Sequence, residues 1–178
     1  SNGEIIRTIA AKLREYKAEH IVVDPVMVAT SGSALMQDTA LAALKEELLP
    51  LAEVITPNLP ETERLCGFAV ESEEDMLRAA QAIGTQIPGG VLVKGGHRTA
   101  DADDLLWQGG KAVWYRSRRV ANENNHGSGC TLSSAIASFL AIGHPLDEAV
   151  GLAKKYITAA MEAGLDLGQG SGPLAHNY

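Results

Sequence analysis

Short apolar runs alternate with amphipathic segments along the sequence, and the two patterns predict strands and helices in turn. Three short runs are rich in β-branched and apolar residues, which is typical of strands buried on both faces: His20–Pro25, Glu53–Asn58 and Val91–Gly96. A polar residue stands where each predicted strand ends. Segments with helical spacing of apolar residues separate these runs. The alternation predicts an α/β fold with a mostly parallel sheet, helices on both faces and right-handed crossovers.

The first helix is predicted over residues 4–17. Ile5, Ile9, Leu13 and Tyr16 recur there at near-helical spacing, with charged residues between them. This spacing predicts a one-faced helix that buries these four side chains.

Two further helices carry start signals. Asp38 is a candidate cap for a helix that Pro50 ends. Ser72 is followed three residues later by Asp75, a variant of the capping box that predicts the start of the next helix.

The pattern changes after the third strand. Two apolar stretches within residues 103–117 flank Gly109–Gly110, which predicts an antiparallel hairpin at one edge of the sheet. Helices are then predicted over residues 130–142 and 145–163. The glycine-rich last fifteen residues predict a loose tail.

Composition limits the classes of function. The chain has 178 residues, of which 46% are hydrophobic, so residues 1–178 are expected to form a single domain with its own core. A formal net charge of -7 argues against a nucleic-acid partner and against an anionic membrane surface. No run approaches the roughly 18 apolar residues that a membrane span needs.

The cysteines favour a reducing compartment. Cys66 and Cys130 are the only two, and they form no CxxC pair, so neither a disulfide framework nor a cysteine-rich zinc site is supported. A cytoplasmic location is therefore expected.

Polar residues at the strand ends point to a binding site. Ligands of open α/β sheets bind outside the carboxyl ends of the strands, an edge that here carries Asp24, Asn58, Glu61 and Lys94. Carboxylate and amide oxygens suit Mg²⁺, which also bridges to phosphates. Each residue also has a structural interpretation: Asp24 as a turn former, Asn58 as a helix cap, and Glu61 as a first-turn charge that complements the helix dipole.

A glycine-rich turn that runs into a helix is the strongest local signal. Gly127, Ser128, Gly129 and Cys130 place free N–H groups at the positive end of the helix dipole, which predicts an anion site for phosphate. The same position would stabilise a thiolate at Cys130 and favour its action as base or nucleophile. A structural turn beside a small buried cysteine is the alternative.

Three other interpretations of this turn fit poorly. A Walker A loop needs Lys after its last glycine, where Cys130 stands, and the third glycine of the dinucleotide-binding GxGxxG is missing. A Cys–His hydrolase dyad of Cys130 with His126 is disfavoured, because such dyads usually draw their members from distant segments.

Four motifs together resemble one known family. The runs VVDPVM (22–27), NLPE (58–61), VLVKGG (91–96) and NHGSGCTLSSAIA (125–137) are similar to the hydroxymethylpyrimidine and phosphomethylpyrimidine kinases of thiamine biosynthesis, in the ribokinase superfamily. The resemblance implies transfer of the ATP γ-phosphoryl group to hydroxymethylpyrimidine and then to its monophosphate, with Mg²⁺ bridging the nucleotide phosphates.

The resemblance also implies roles for individual residues. It places the anion hole on Gly127, Ser128, Gly129 and Cys130, with Cys130 as general base for the acceptor hydroxyl. Asp24 and Glu61 would act on Mg²⁺ or its waters. Asn58 would contact phosphate or water, and Lys94 would neutralise the nucleotide phosphates.

Two further residues match the family's pattern. Lys154 matches a family lysine beside the nucleotide, while its position alone also fits a solvated charge on a helix face. His126 matches the family's turn and is given no chemical role.

Full-length family members carry further N-terminal residues with an acceptor-binding segment. The chain is therefore expected to be the C-terminal, nucleotide-binding portion of a kinase, without acceptor turnover of its own. A pyridoxal or pyridoxine kinase of the same superfamily, and a non-catalytic module that keeps the fold, remain alternatives. The sequence leaves acceptor specificity, any monovalent cation and a possible homodimer open.

Overall fold

In the part of the chain that the structure describes, a five-stranded mixed sheet forms the centre. The computed structural model describes residues 2–27, 36, 38–96, 102–118, 120, 127–165, 167 and 172–177. The strands are β1 (Val22–Val23), β2 (Val54–Ile55), β3 (Gly90–Lys94), β4 (Asp104–Gln108) and β5 (Lys111–Tyr115). They lie in the order β1-β2-β3-β4-β5, with β1, β2 and β3 parallel and β4 and β5 antiparallel. The predicted fold class is thus confirmed.

Helices cover both faces of the sheet, as predicted. They are α1 (Gly3–Glu15), α2 (Asp38–Ala43), α3 (Leu59–Cys66), α4 (Glu73–Gly84), α5 (Ser128–Ala141) and α6 (Leu146–Glu162). Side chains of α1 to α4 share one core with Val91 and Val93 of β3. Leu92, which points the other way, belongs to a second core with α5 and α6. Alternate residues of β3 therefore face different helix layers, as strand geometry requires.

Helix α1 buries a different face from the one predicted. Ile5, Ile9 and Tyr16 are exposed, whereas Ile6 and Ala10 are buried. The helix packs on α2 and the turn that follows it. Small side chains allow a close approach there, so packing rather than the strongest hydrophobic stripe selects the face.

The second helical segment changes its winding before it ends. Helix α2 continues as a π-helical turn over Leu44–Leu48 and a 3₁₀ turn over Leu49–Leu51. The predicted stop at Pro50 therefore falls inside the 3₁₀ turn. Pro is tolerated at this position because the first turn of a helix does not need its N–H group.

The β4–β5 hairpin is confirmed at the predicted edge. Gly109 has φ 56° and Gly110 has φ 83°. Positive φ angles at both central residues define a hairpin turn that follows the natural twist of the strands, and glycine adopts them without a Cβ clash.

Part of the C-terminal tail is docked rather than loose. Leu174 and Ala175 are buried, and the Ala175 N–H group donates to the carbonyl of Ala160 on α6. Leu174 joins the core beneath α5 and α6. Within the described part of the chain, no helix combines the length and apolar character needed to cross a lipid bilayer.

We expect Leu92→Ala to lower the free energy of unfolding by about 2–5 kcal/mol, because Leu92 is fully buried between the sheet and α5–α6. Urea denaturation measures this loss. Ile142→Ala is the control, since Ile142 is 73% exposed, and its effect should stay within about 0.5 kcal/mol. Equal losses in the two variants would contradict the assigned core.

Candidate active site

An ion pair joins the ends of β1 and β3 across β2. The Lys94 Nζ lies 2.9 Å from the Asp24 Oδ1, and the two side chains are 14% and 13% exposed. The same Oδ1 accepts a hydrogen bond from the Thr56 Oγ1 at 3.2 Å. Asp24 follows β1, Thr56 follows β2 and Lys94 ends β3. Three parallel strands thus deliver their polar groups to one place, as predicted for Asp24 and Lys94.

Asn58 and Glu61 form the start of α3. The Asn58 Oδ1 accepts from the Glu61 N–H group at 2.9 Å, and the Glu61 Oε2 accepts from the Asn58 N–H group at 2.8 Å. This reciprocal pair is a capping box. The structural interpretations of both residues are therefore confirmed. The cap leaves the Asn58 amide nitrogen and the second Glu61 oxygen outside this reciprocal pair.

Glu61 is also an unusual carboxyl group. It is only 3% exposed. Burial raises its pKa above the ordinary 4.5, and nearby Asp24 adds to this, while the Asn58 hydrogen bond and Lys94 oppose it. Asn58, which forms the capping box with Glu61, lies opposite Lys94 in a parallel β-bridge. Because Lys94 in turn pairs with Asp24, the capping box and the ion pair lie at the same edge of the sheet.

The start of α5 meets this site at Gly129. A Cβ atom placed on Gly129 would lie 3.3 Å from the Lys94 Nζ and 3.5 Å from the Asp24 Oδ2. The absence of a side chain lets the helix start lie directly against the ion pair. Because the first N–H groups of a helix have no partner within it, α5 presents donors at the strand ends.

Cys130 and the turn before it occupy the expected positions. Gly127 precedes the helix with φ 81°, and Ser128 is its first residue. Cys130 is the third residue of α5 and has an exposed, free thiol. Asn125 and His126 of the predicted turn lie outside the described residues.

Lys154 lies in a separate, buried contact. Its Nζ is 2.6 Å from the Asp104 Oδ2, with side chains 11% and 9% exposed, and it also donates to the Ala102 carbonyl. The interpretation of Lys154 as a solvated charge is therefore wrong. Its neighbour Asp104 lies opposite Lys94 in the β3–β4 pair.

Sequence reasoning missed Thr56 and Asp104. Both are buried polar residues, and each contacts or faces a residue that was predicted to act. Thr56 stands inside a β-branched run, where it is indistinguishable from a strand former. An acidic residue at the start of an apolar strand was the available signal for Asp104, since buried carboxylates are rare unless paired.

The donor set fits a magnesium nucleotide better than a protein-only metal centre. Across the described residues, no group of three or more His, Cys, Asp and Glu side chains could hold a metal ion. Mg²⁺, however, is usually held by one or two carboxylates together with phosphates and water. Asp24 and Glu61 meet that requirement beside the cationic Lys94 and the donors of α5.

Two proteins with similar sequences have names that agree with the family that the four motifs resemble. A hydroxymethylpyrimidine/phosphomethylpyrimidine kinase of Rhizobium meliloti is 50% identical over 99% of this chain and 67% of its own length. The thiamine biosynthesis bifunctional protein ThiED of Geobacter sulfurreducens is 48% identical over 98% of this chain. The chain spans only 36% of that protein.

Solved structures share the fold. Phosphomethylpyrimidine kinase from Clostridium difficile matches with a TM-score of 0.77 and 41% identity, covering 90% of this chain and 65% of that one. The pyridoxal kinase of Staphylococcus aureus in complex with AMP-PCP matches with a TM-score of 0.90 and 33% identity, covering 99% and 64%. These neighbours confirm the predicted ribokinase-like fold.

The family model described as phosphomethylpyrimidine kinase matches residues 1–175. This match covers nearly the whole chain and includes all four motifs on which the resemblance was based. The chain belongs to the phosphomethylpyrimidine kinase family.

Proposed function

We propose that this chain is the nucleotide-binding portion of a Mg²⁺- and ATP-dependent kinase that phosphorylates hydroxymethylpyrimidine and its monophosphate in thiamine biosynthesis. The observation that carries the proposal is the start of α5 at Gly129, which lies against the Lys94–Asp24 ion pair. Helix donors, a lysine and a carboxylate thus meet at one point, the combination that phosphoryl transfer requires.

The phosphates are assigned to the cationic side of the site. The N–H groups of Ser128, Gly129 and Cys130 would bind phosphate oxygens and the charge that develops on them during transfer. Lys94 would neutralise the nucleotide phosphates from the end of β3. The amide nitrogen of Asn58 would donate to a phosphate or to a water molecule.

Magnesium is assigned to the carboxylates. Asp24 would hold the ion directly or through water. Its Oδ1 is engaged by Lys94, so the proposed ligand is Oδ2, which lies on the side of the helix start. Glu61 would contribute its second oxygen from the buried side. When bound, the ion would neutralise charge on the nucleotide phosphates.

Cys130 is assigned as the general base. Its thiol is exposed at the start of α5, next to the proposed phosphate site. A base at this position would accept the proton of the acceptor hydroxyl as that oxygen attacks the γ-phosphorus and the bond to the β–γ bridging oxygen breaks, with ADP as the leaving group. Lys154 is not needed for this step, because its ammonium group is engaged by Asp104 and by the carbonyl of Ala102.

A second candidate activity is phosphorylation of pyridoxal. Pyridoxal kinases of Staphylococcus aureus and Bacillus subtilis share the fold of nearly the whole chain. The higher identity of the pyrimidine kinases favours hydroxymethylpyrimidine. Competition between the two acceptors in the complete protein decides, and a clear preference for pyridoxal would overturn the proposed acceptor.

In the complete protein, Cys130→Ala should lower kcat for hydroxymethylpyrimidine by about 100-fold or more, because a general base contributes that much to proton transfer. The KM for ATP should change little, since the backbone donors of α5 remain. Steady-state kinetics with both substrates measures the two effects.

Cys66→Ala is the matched control for that experiment. Cys66 ends α3, where its thiol donates to the backbone carbonyl of Phe68, and it has no assigned role. Its replacement should leave kcat unchanged. Unchanged kcat in Cys130→Ala as well would contradict the assignment of Cys130 as general base, and absence of turnover in the unsubstituted protein would support the non-catalytic module.

Glu61→Gln should separate stability from magnesium binding. Folding raises the pKa of Glu61, so the protonated side chain stabilises the folded chain at acidic pH. This stabilisation is lost as the pH rises through the pKa of the folded state. Gln mimics the protonated form and avoids that loss. We expect the variant to be at least as stable as the unsubstituted chain at pH 7, measured by urea denaturation, but to bind Mg²⁺·ATP more weakly.

Glu63→Gln on the same helix provides the control, because Glu63 accepts a hydrogen bond from the Val70 N–H group and has no assigned magnesium role. Its Mg²⁺·ATP affinity should match that of the unsubstituted chain. A Glu61→Gln variant that binds Mg²⁺·ATP equally well would contradict the assignment of Glu61.

A further inference from the structure

A buried ion pair links α6 to the beginning of β4. The Lys154 Nζ lies 2.6 Å from the Asp104 Oδ2, and both side chains are almost fully buried. Lys154 also donates to the carbonyl of Ala102, which precedes Asp104 by two residues. One ammonium group therefore fixes both the side chain of Asp104 and the backbone that leads into it.

The second oxygen of Asp104 holds the end of β3. The Gly95 N–H group donates to the Asp104 Oδ1 at 2.9 Å in a buried position. A Cβ atom at Gly95 would lie only 2.0 Å from the carbonyl oxygen of Asp103. The two backbone segments are therefore in such close contact that only glycine fits between them.

Lys94 is held on both sides by these contacts. Its own N–H group donates to the Pro57 carbonyl at 2.8 Å, and the next N–H group, that of Gly95, donates to Asp104. Asp104 is also the direct partner of Lys94 in the antiparallel β3–β4 register. The backbone position from which the Lys94 side chain reaches Asp24 thus depends on Asp104.

Asp104 in turn depends on Lys154. Burial raises the pKa of Asp104, and the attraction of Lys154 opposes that effect most strongly. Removal of either partner leaves a buried charge without compensation, which loosens the local structure. A small displacement of a group that contacts a reacting phosphate is enough to lower activity strongly.

We propose that Asp104 and Lys154 are positioning residues, which place Lys94 for the nucleotide phosphates through the Gly95 backbone. Lys154 acts through Asp104 and does not contact the nucleotide. This inference rests on the proposed function, because it concerns how the same nucleotide site is held in place.

Calorimetric titration of the full chain with Mg²⁺·ATP tests the inference. Asp104→Asn and Lys154→Met should each weaken binding by about tenfold or more, a loss of the size seen when residues that orient metal ligands are replaced. The double variant Asp104→Leu/Lys154→Met has no unpaired buried charge and should fold. It should bind no more weakly than Lys154→Met, because both substitutions break the same link.

Hydrogen exchange of the Gly95 amide gives a second readout, independent of nucleotide. Exchange should be faster in Lys154→Met and in the double variant than in the unsubstituted chain. Asp103→Asn is the matched control: this neighbouring carboxylate pairs with Arg116 at 2.7 Å and accepts from the Ser117 N–H group instead. Its Mg²⁺·ATP affinity and Gly95 exchange should remain those of the unsubstituted chain.

Two results would overturn this inference without contradicting the proposed function. One is a Lys154→Met variant that loses affinity while Asp104→Asn keeps it, since Lys154 would then contact the nucleotide directly. The other is normal affinity in both single variants. Absence of Mg²⁺·ATP binding by the folded, unsubstituted chain would instead contradict the proposed function, and the nucleotide part of this inference with it.

Discussion

The ion pair between Lys94 and Asp24 is the interaction on which the site depends. It joins the ends of two strands that are separated by β2, and Thr56 orients the carboxylate from β2 itself. Two charges that are largely removed from water are stable only with good geometry and additional hydrogen bonds. The parallel strands supply that geometry, because their carboxyl ends lie along one edge. Helix α5 can then start directly against the pair because residue 129 is glycine.

Several groups combine a structural with a proposed chemical role. Asn58 and Glu61 start α3 through their capping box, and the same residues lie beside the ion pair. Since the cap fixes both side chains, the proposed magnesium ligand is held in place before any ion binds. Such preorganisation lowers the cost of binding, although burial of the Glu61 carboxylate reduces stability at neutral pH.

The sequence predicted those parts of the molecule that depend on local patterns. The order of strands and helices, the Gly109–Gly110 hairpin and the capping box at Ser72 all follow from local rules, and the structure agrees. The strand ends could be placed together because parallel strands share an edge. The buried face of α1 could not be predicted, because it depends on which residues allow close packing with α2.

The remaining differences involve contacts between distant parts of the chain. Lys154 and Asp104 are 50 residues apart in sequence, and no local pattern indicates that they form a pair. Likewise, no local pattern indicates that Leu174, in a glycine-rich tail, is part of the core. Both depend on the position of α6 over the sheet, which is known only once the fold has formed.

The most direct test is a calorimetric titration of the chain and two variants, Asp24→Asn and Lys94→Met, with ATP in the presence and absence of Mg²⁺. The unsubstituted chain should bind ATP saturably and only with Mg²⁺. Lys94→Met should bind about tenfold more weakly or worse, since it loses a hydrogen bond between charged groups. In Asp24→Asn, addition of Mg²⁺ should no longer raise the affinity for ATP. If both folded variants bind Mg²⁺·ATP as the unsubstituted chain does, the nucleotide does not bind at the Lys94–Asp24 pair.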